Sequence, residues 1–314
     1  MIVVVLYVVG HKKPDTDSIV AAIAYAELKR ALGVEVEPRR AGELNLETKY
    51  VMEKFNAKPP ELMESAEGKE LILVDHNEPS QIVNGYEKAK IREIVDHHRL
   101  GGLITSEPIF VYIEPVGSTS TIIANWFKEK SIEINKTLAS LMLSAILSDT
   151  VIFRSPTCTE KDKRTAKELA VIAGIENLEE LGIEMFKAKS RLAEKSARDI
   201  ILTDFKEYTF KTMKVGIGQV ETVDLSELEP RVGEILREMD AIRGERGYGM
   251  LVMMLTDILR RGSLLLYSAD RREWFLDALS GIRMERRGDR VFYAPGIMSR
   301  KKQIVPPLSE YFEK

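Results

Sequence analysis

Five short apolar stretches near the start of this 314-residue chain constrain its fold more than any other feature. They cover residues 2–9, 34–38, 71–75 (LILVD), 91–96 (IREIVD) and 109–113 (IFVYI). As a group they are short and β-branched, and 2–9, 71–74 and 109–113 are continuously apolar, the pattern of strands covered on both faces. Helix-like stretches fall between and after them at 18–31, 44–56, 79–89, 118–130 and 136–148. Alternation of this kind specifies an α/β fold with a doubly wound, mostly parallel sheet, because each parallel crossover needs a covering helix.

A Lys-, Glu- and Ala-rich segment, roughly 161–198, extends the helical pattern, and KAKSRLAEKSARD (187–199) reads as an exposed helix or linker. We therefore place a domain boundary near residue 190, separating 1–190 from 191–314. The second part has strand patterns at 213–224, 247–258 and 263–270 and a helix pattern at 229–245, which predicts a smaller α/β domain. A net charge of −3 argues against a general nucleic-acid-binding protein, which would carry a basic excess. The apolar MIVVVLYVV is too short to span a bilayer and has no basic region before it, so a buried strand is expected. The single cysteine, Cys158, excludes an intrachain disulfide and fits a reducing cytoplasm.

Chemistry-bearing residues gather where the predicted strands end. All four histidines, His11, His76, His97 and His98, lie in charged stretches just after apolar runs. Open parallel sheets bind ligands outside the carboxyl ends of their strands. GHKKPDTDS follows residues 2–9, DHNE overlaps the end of 71–75, and DHHR overlaps the end of 91–96. SAILSDT (144–150) sets Asp149 at the end of an apolar helix. A helix cap needs one Asp or Ser. The turn carrying His11, Asp15 and Asp17, stiffened by Pro14, holds more donors than that. Asp75 at the sheet edge could bridge two metals. Adjacent His97 and His98 project to opposite sides of an extended chain, so one ligates while the other is left for substrate.

Together His11, Asp15, Asp17, Asp75, His97 and Asp149 form a mixed set suited to Mn²⁺, Fe²⁺, Co²⁺ or Zn²⁺, and less to Mg²⁺. Six ligands exceed one tetrahedral site and suit two octahedral ions sharing a carboxylate. Paired metals hydrolyse phosphoester and phosphoanhydride bonds by acidifying a bridging water and clamping the reacting oxygens. Gly281 to Lys302 adds seven basic residues (Arg283, Arg286, Arg287, Arg290, Arg300, Lys301, Lys302) against Glu285 and Asp289. If GIMSRKKQIVP faces the metal loop as a basic loop, Arg300 offers a bidentate fork and Lys301 a point charge to a compact polyanion.

GHKKPDTDSI, DHNE, DHH, SAILSDTVIFRSPTCTEKD and SRKKQ occur in the order seen in family II inorganic pyrophosphatases of the DHH phosphoesterase superfamily. The chain resembles that family from Gly10 to Gln303; the N-terminal motifs are shared across the superfamily, and SRKKQ points to the pyrophosphatases. The resemblance implies a DHH domain holding two Mn²⁺ or Co²⁺ ions. His11 and Asp15 would hold one, Asp17, His97 and Asp149 the other, with Asp75 bridging. It implies that His98 contacts substrate and acts as general acid toward the leaving phosphate. A DHHA2-type C-terminal domain would bind pyrophosphate through Arg300, Lys301 and Lys206 of TDFKEY. The active site would lie between the two domains. A hydroxide bridging the metals would attack the substrate, which would bring additional Mg²⁺. The expected protein is cytoplasmic and homodimeric, with IFVYIEPV as a candidate pairing edge and no nucleic-acid or membrane partner. Lys13 stands where many members have Asn, and Ser118 where Cys is common; neither is an expected ligand.

A DHH enzyme acting on oligonucleotides or cyclic dinucleotides would end in a domain with a Gly-rich GGGH motif. A nuclease would also need stacking aromatics along a basic groove. This chain has no GGGH run, no histidine after His98, and only 7% aromatic residues, which are dispersed. A regulatory binding protein that had lost catalysis would be expected to lack part of the ligand set, which is complete.

Overall fold

A computed structural model describes residues 5–192 and 194–313, so residues 2–4 of the first expected strand lie outside the described residues. The chain divides into two compact units, one ending at Lys189 and the other beginning at Ser190.

The first unit contains strands β1 (Leu6–Val9), β2 (Val36–Arg40), β3 (Glu61–Leu62), β4 (Glu70–Val74), β5 (Lys90–Asp96) and β6 (Phe110–Ile113). Its helices are α1 (Thr16–Ala31), α2 (Leu46–Lys54), α3 (Thr119–Glu129), α4 (Lys136–Asp149), α5 (Glu160–Ala173) and α6 (Leu178–Ser190). The sheet order is β3-β2-β1-β4-β5-β6, with every pairing parallel. The chain builds outward from β1 to β3, then returns to the other side of β1 for β4. The carboxyl ends of β1 and β4 therefore flank the switch point where a doubly wound sheet leaves a crevice. Val8, Val9 and Leu71–Val74 are fully buried, which is why their runs show no polar alternation. Helix α4 is buried from Leu138 to Ser148, packed against α1, α3 and α5, and so is apolar around most of its circumference.

Two expected helices differ. Residues 79–89 form two 3₁₀ turns, Pro79–Gln81 and Tyr86–Lys88, instead of one α-helix. Pro79 opens the first turn, and Gly85, left-handed at φ 77°, stands between them and interrupts any helical ladder. The long segment 161–198 is three helices rather than one. Gly174 at φ 68° terminates α5, and Ser196 caps α7 (Ala197–Leu202).

The second unit adds β7 (Phe205–Phe210), β8 (Met213–Thr222), α8 (Val232–Arg246), β9 (Met250–Asp257) and β10 (Gly262–Ala269). It ends with α9 (Arg272–Ala278), β11 (Glu285–Gly288), β12 (Val291–Pro295) and α10 (Val305–Glu313). The sheet order is β11-β12-β10-β9-β8-β7; β8 and β9 are parallel, and the other pairings are antiparallel. Each face has its own core. Leu251, Met253 and Leu255 of β9 join Ile235, Met239 and Ile242 of α8. Met250, Val252 and Met254 point the other way, toward Phe275 of α9 and Leu308 of α10. The expected basic loop is a turn of π-helix, Arg300–Ile304, capped by Ser299 and running into α10.

Candidate metal centre

The turn after β1 is shaped by its own hydrogen bonds. Ser18 Oγ accepts from His11 N at 2.9 Å, and Ser18 N donates to Asp15 Oδ1 at 2.9 Å, so Asp15 caps α1. The other Asp15 oxygen lies 3.4 Å from His11 Nε2. A side chain at Gly10 would meet Ser18 Oγ at 2.0 Å, so this close approach needs glycine. Asp17 turns away from its own helix toward α3. It accepts from Thr119 N at 2.6 Å, Ser120 N at 3.0 Å and Ser120 Oγ at 2.5 Å, placing a carboxylate on the positive end of that helix.

Asp75 follows β4 in the left-handed region at φ 63°, a conformation Asp tolerates better than most residues. Its Oδ1 accepts from Thr119 Oγ1 at 2.9 Å and stands 3.3 Å from His97 Nε2, while Oδ2 stands 3.6 Å from His11 Nε2. One oxygen thus faces each histidine. Asp149, the last residue of α4, brings Oδ2 to 3.7 Å from His97 Nε2.

The six expected ligands gather into two overlapping groups, and a third group among the described residues joins His98 to Asp75 and His97. His11, Asp15 and Asp75 form one; Asp17, Asp75, His97 and Asp149 form the other, with donor atoms within 4.8 Å of one another in each. Asp75 belongs to both. The donor chemistry fits metal ions. Donors in neighbouring octahedral positions about 2.1 Å from an ion lie about 3 Å apart, close to the separations above. His97 Nε2, Asp75 Oδ2 and His11 Nδ1 are buried without a hydrogen-bond partner among the described residues. His97 Nδ1 sits 2.9 Å from the Val116 carbonyl, which can only accept, so Nδ1 is the donor there and Nε2 is the nitrogen left to face the carboxylates, available to a proton or an ion.

The same crowding sets the protonation states. Burial alone would lower the His11 and His97 pKa values, but Asp15 and Asp75 around His11, and Asp75 and Asp17 around His97, raise each to about 10. Burial and the neighbouring Asp75 charge push Asp17 up to about 7, and burial with Asp17 and Asp15 nearby raises Asp149. Asp75 is held below the usual carboxylate range, because its two histidines outweigh its burial. Metal-free, the site stores protons on the atoms that would ligate ions.

His98 is about half exposed and does not share the buried role of His97. Its Nδ1 lies 2.9 Å from Asp96 Oδ1, the same oxygen that accepts from the His97 and His98 backbone N–H groups. Asn77 Nδ2 donates to Asp96 Oδ2 at 2.6 Å. Asp96 therefore orients the ring and raises its pKa, leaving Nε2 for proton exchange. A cleft of about 490 Å³ opens beside these groups, lined by His11, Lys13, Asp15, Asp75, His98 and Arg99 among others. His76 belongs to no donor group among the described residues: it is buried, bonded through Nδ1 to the Val74 carbonyl, and lowered by burial to a pKa of about 4.

Four supporting residues escaped the sequence reading: Asp96, Thr119, Ser120 and Glu47. Asp96 had a visible signal, since it ends β5 immediately before both histidines. Glu47 had none, reading as an ordinary acid in the first turn of α2. It is fully buried, accepting from Thr16 Oγ1 at 2.7 Å and from Ser148 Oγ, with Lys189 Nζ 3.6 Å away. It thereby ties the residue between Asp15 and Asp17 to the residue before Asp149.

In the second unit, Lys206 on β7 and Lys301 are exposed. Lys206 pairs in register with Ile217 of β8, whose carbonyl also contacts Arg300. Arg300 is not an open fork: its guanidinium already engages Asp204. Much of the neighbouring basic run is also paired, Arg286 with Asp289, Arg287 with Glu285, and Arg290 with Asp240.

Comparison with known proteins adds an independent line. Residues 5–146 match the DHH family N-terminal domain, and residues 183–311 match the DHHA2 domain. A manganese-dependent inorganic pyrophosphatase from Methanothrix thermoacetophila is 47% identical over 312 residues, covering 98% of this chain and 99% of the relative. One of the same name from Methanocaldococcus jannaschii is 47% identical over 314 residues, covering 98% of this chain and 99% of the relative. A solved Methanococcus jannaschii structure, assigned to the family II inorganic pyrophosphatases, matches with a TM-score of 0.60 at 44% identity, covering 98% of this chain and all of that one.

Proposed function

Because this chain belongs to the manganese-dependent inorganic pyrophosphatases, built from DHH and DHHA2 domains, we propose that it hydrolyses pyrophosphate to two orthophosphates. The observation that carries the reading is Asp75, one buried carboxylate common to both donor groups, with an oxygen toward each histidine. His11 and Asp15 would hold one ion; Asp17, His97 and Asp149 would hold the other. Mn²⁺ is the ion its relatives' names support, and Co²⁺ suits the same donors. Two such ions, when bound, acidify water and offset phosphate charge.

The chain's own residues do the rest. His98, oriented by Asp96, donates a proton from Nε2 to the leaving phosphate. Lys206, Arg300 and Lys301 bind the anion, which arrives with Mg²⁺. Thr119, Ser120 and Glu47 fix the carboxylates so that they need not reorganise during turnover. The edge strand β6, with Phe110 and Val111 nearly half exposed, supports a homodimer paired through that edge. Among the described residues no helix is long and apolar enough to cross a membrane. The lone cysteine fits a cytoplasmic setting, and the acidic balance fits a protein with no nucleic-acid partner. The test is phosphate release from pyrophosphate, short oligonucleotides and cyclic dinucleotides, each with Mn²⁺, Co²⁺ or Mg²⁺. Pyrophosphate with Mn²⁺ should turn over fastest, and faster turnover of a dinucleotide would overturn the reading.

A further inference from the structure

Arg300 opens the SRKKQ turn with only 11% of its side chain exposed. Nη1 donates to the main-chain oxygens of Asp204 at 2.6 Å and Ile217 at 3.3 Å. Nη2 donates to both carboxylate oxygens of Asp204, at 3.0 and 3.1 Å. Nε is buried and has no hydrogen-bond acceptor among the described residues. The backbone is anchored too: Arg300 N donates to Gln219 Oε1 at 3.3 Å, and Gln219 Nε2 donates to the Met298 carbonyl at 2.9 Å. One end of the guanidinium is thus held by groups that cannot leave without disturbing the sheet. The Nε–Nη2 edge is different. Half of it is engaged by a carboxylate that is itself 53% exposed, and the other half is a buried N–H left without a hydrogen-bond partner among the described residues.

We propose that Asp204 is a built-in competitor for the substrate oxyanion at Arg300, and so sets the affinity of this residue for pyrophosphate. The inference rests on the reading of Arg300 as a pyrophosphate-binding residue. Two oxygens of a phosphoryl group match the Nε–H and Nη2–H pair as a side-on fork. Asp204 spends both of its oxygens on Nη2 and leaves Nε unsatisfied, a costly state for a buried donor. When the anion arrives, the exposed Asp204 carboxylate turns to solvent, the orphaned N–H gains an acceptor, and Nη1 keeps its two carbonyls. The guanidinium stays where it is while the carboxylate moves.

Steady-state kinetics of the full-length Mn²⁺ enzyme test this. Asp204→Asn and Asp204→Ala should each lower KM for pyrophosphate about three-fold, the scale of losing an exposed ion pair. The inhibition constant of imidodiphosphate should fall by a similar factor, while kcat should not rise. The alanine variant guards against an asparagine oxygen replacing the carboxylate. In an Arg300→Ala background the Asp204 effect should vanish, since the two act through one contact. If both Asp204 variants leave KM unchanged or raise it, while Arg300→Ala raises KM, Asp204 is a support for Arg300 and the proposal fails with the pyrophosphate reading intact. If Arg300→Ala leaves KM unchanged, the assignment of Arg300 to substrate fails, and the proposal falls with it.

Discussion

Asp75 and Asp96 each combine several demands in one carboxylate. Asp75 sits in a left-handed backbone position, accepts from Thr119, and faces a histidine with each oxygen. Asp75→Asn preserves the shape but turns one oxygen into a donor, so affinity for both ions should fall together. Outer-shell changes alone cost about 10–100-fold in metal affinity or activity. The loss of activity here should therefore exceed about 100-fold, with metal content by atomic spectroscopy falling in step. Two retained ions with full activity would remove Asp75 as the shared ligand. Asp96 acts one step back, holding His98 and raising its pKa. If protonated His98 serves the leaving group, the alkaline limb of the kcat profile reports its deprotonation. Asp96→Asn should move that limb to lower pH; an unmoved limb with altered kcat would leave Asp96 a packing role only.

Elements carry the candidate ligands to their places, and α4 shows how. Its last residue is Asp149, after which Val151, Ile152 and Phe153 all take positive φ (48°, 50° and 64°), turning the chain sharply. Left-handed backbone at three consecutive residues, two of them β-branched, is unfavourable in isolation and persists only where packing enforces it. Here the packing is α6: a methyl group at Gly182 would meet Ile152 Cγ1 at 2.5 Å and Cδ1 at 2.7 Å. Gly182→Ala gains about 1 kcal/mol of helix propensity but overpacks a buried contact, a cost of about 1–3 kcal/mol. Net destabilisation in denaturant melts, with weaker Mn²⁺ binding as Asp149 is displaced, is the expected outcome; a stabilised variant with unchanged Mn²⁺ affinity would show that the turn is not braced there. Such features explain what could be read in advance. The buried parallel strands announce themselves because both faces exclude water, and their ends carry the ligands. Gly182, Glu47 and the Asp204–Arg300 pair look ordinary in sequence, since only tertiary contact gives them a role. The edge strand β11 was not legible because ERRG carries no apolar residue, and the short apolar run VFYA of β12 sits in an otherwise basic stretch. The helix expected over 79–89 failed for a local reason: Pro79 and Gly85 outweighed the surrounding pattern.

For the whole molecule, the proton store in the first unit links stability, pH and metal. Metal-free, His11 and His97 titrate near 10 in the folded state against about 6.5 unfolded. Their stabilisation is complete below about pH 6.5 and is lost as pH climbs toward 10. Asp17, raised to about 7, acts in the same direction: its protonated form favours the fold, and that contribution is lost as pH rises through 7. Asp75, held low, contributes in the opposite sense, but its loss lies at acid pH. From neutral to alkaline pH the metal-free protein should therefore lose stability. Ion binding displaces those same protons, so the gain on adding Mn²⁺ should grow over the same interval. At a concentration 100 times Kd, each ion adds about 2.7 kcal/mol, or about 5–10 °C in a unit of this size. Melting curves with and without Mn²⁺ between about pH 6 and 9 should diverge as pH rises. Hydrogen exchange should place the new protection in the loops 10–18, 75–78, 96–99 and 148–153. A gap that narrows with pH would mean that the carboxylates and histidines of this turn titrate independently of the ions, and the site would lose its claim to be one linked centre.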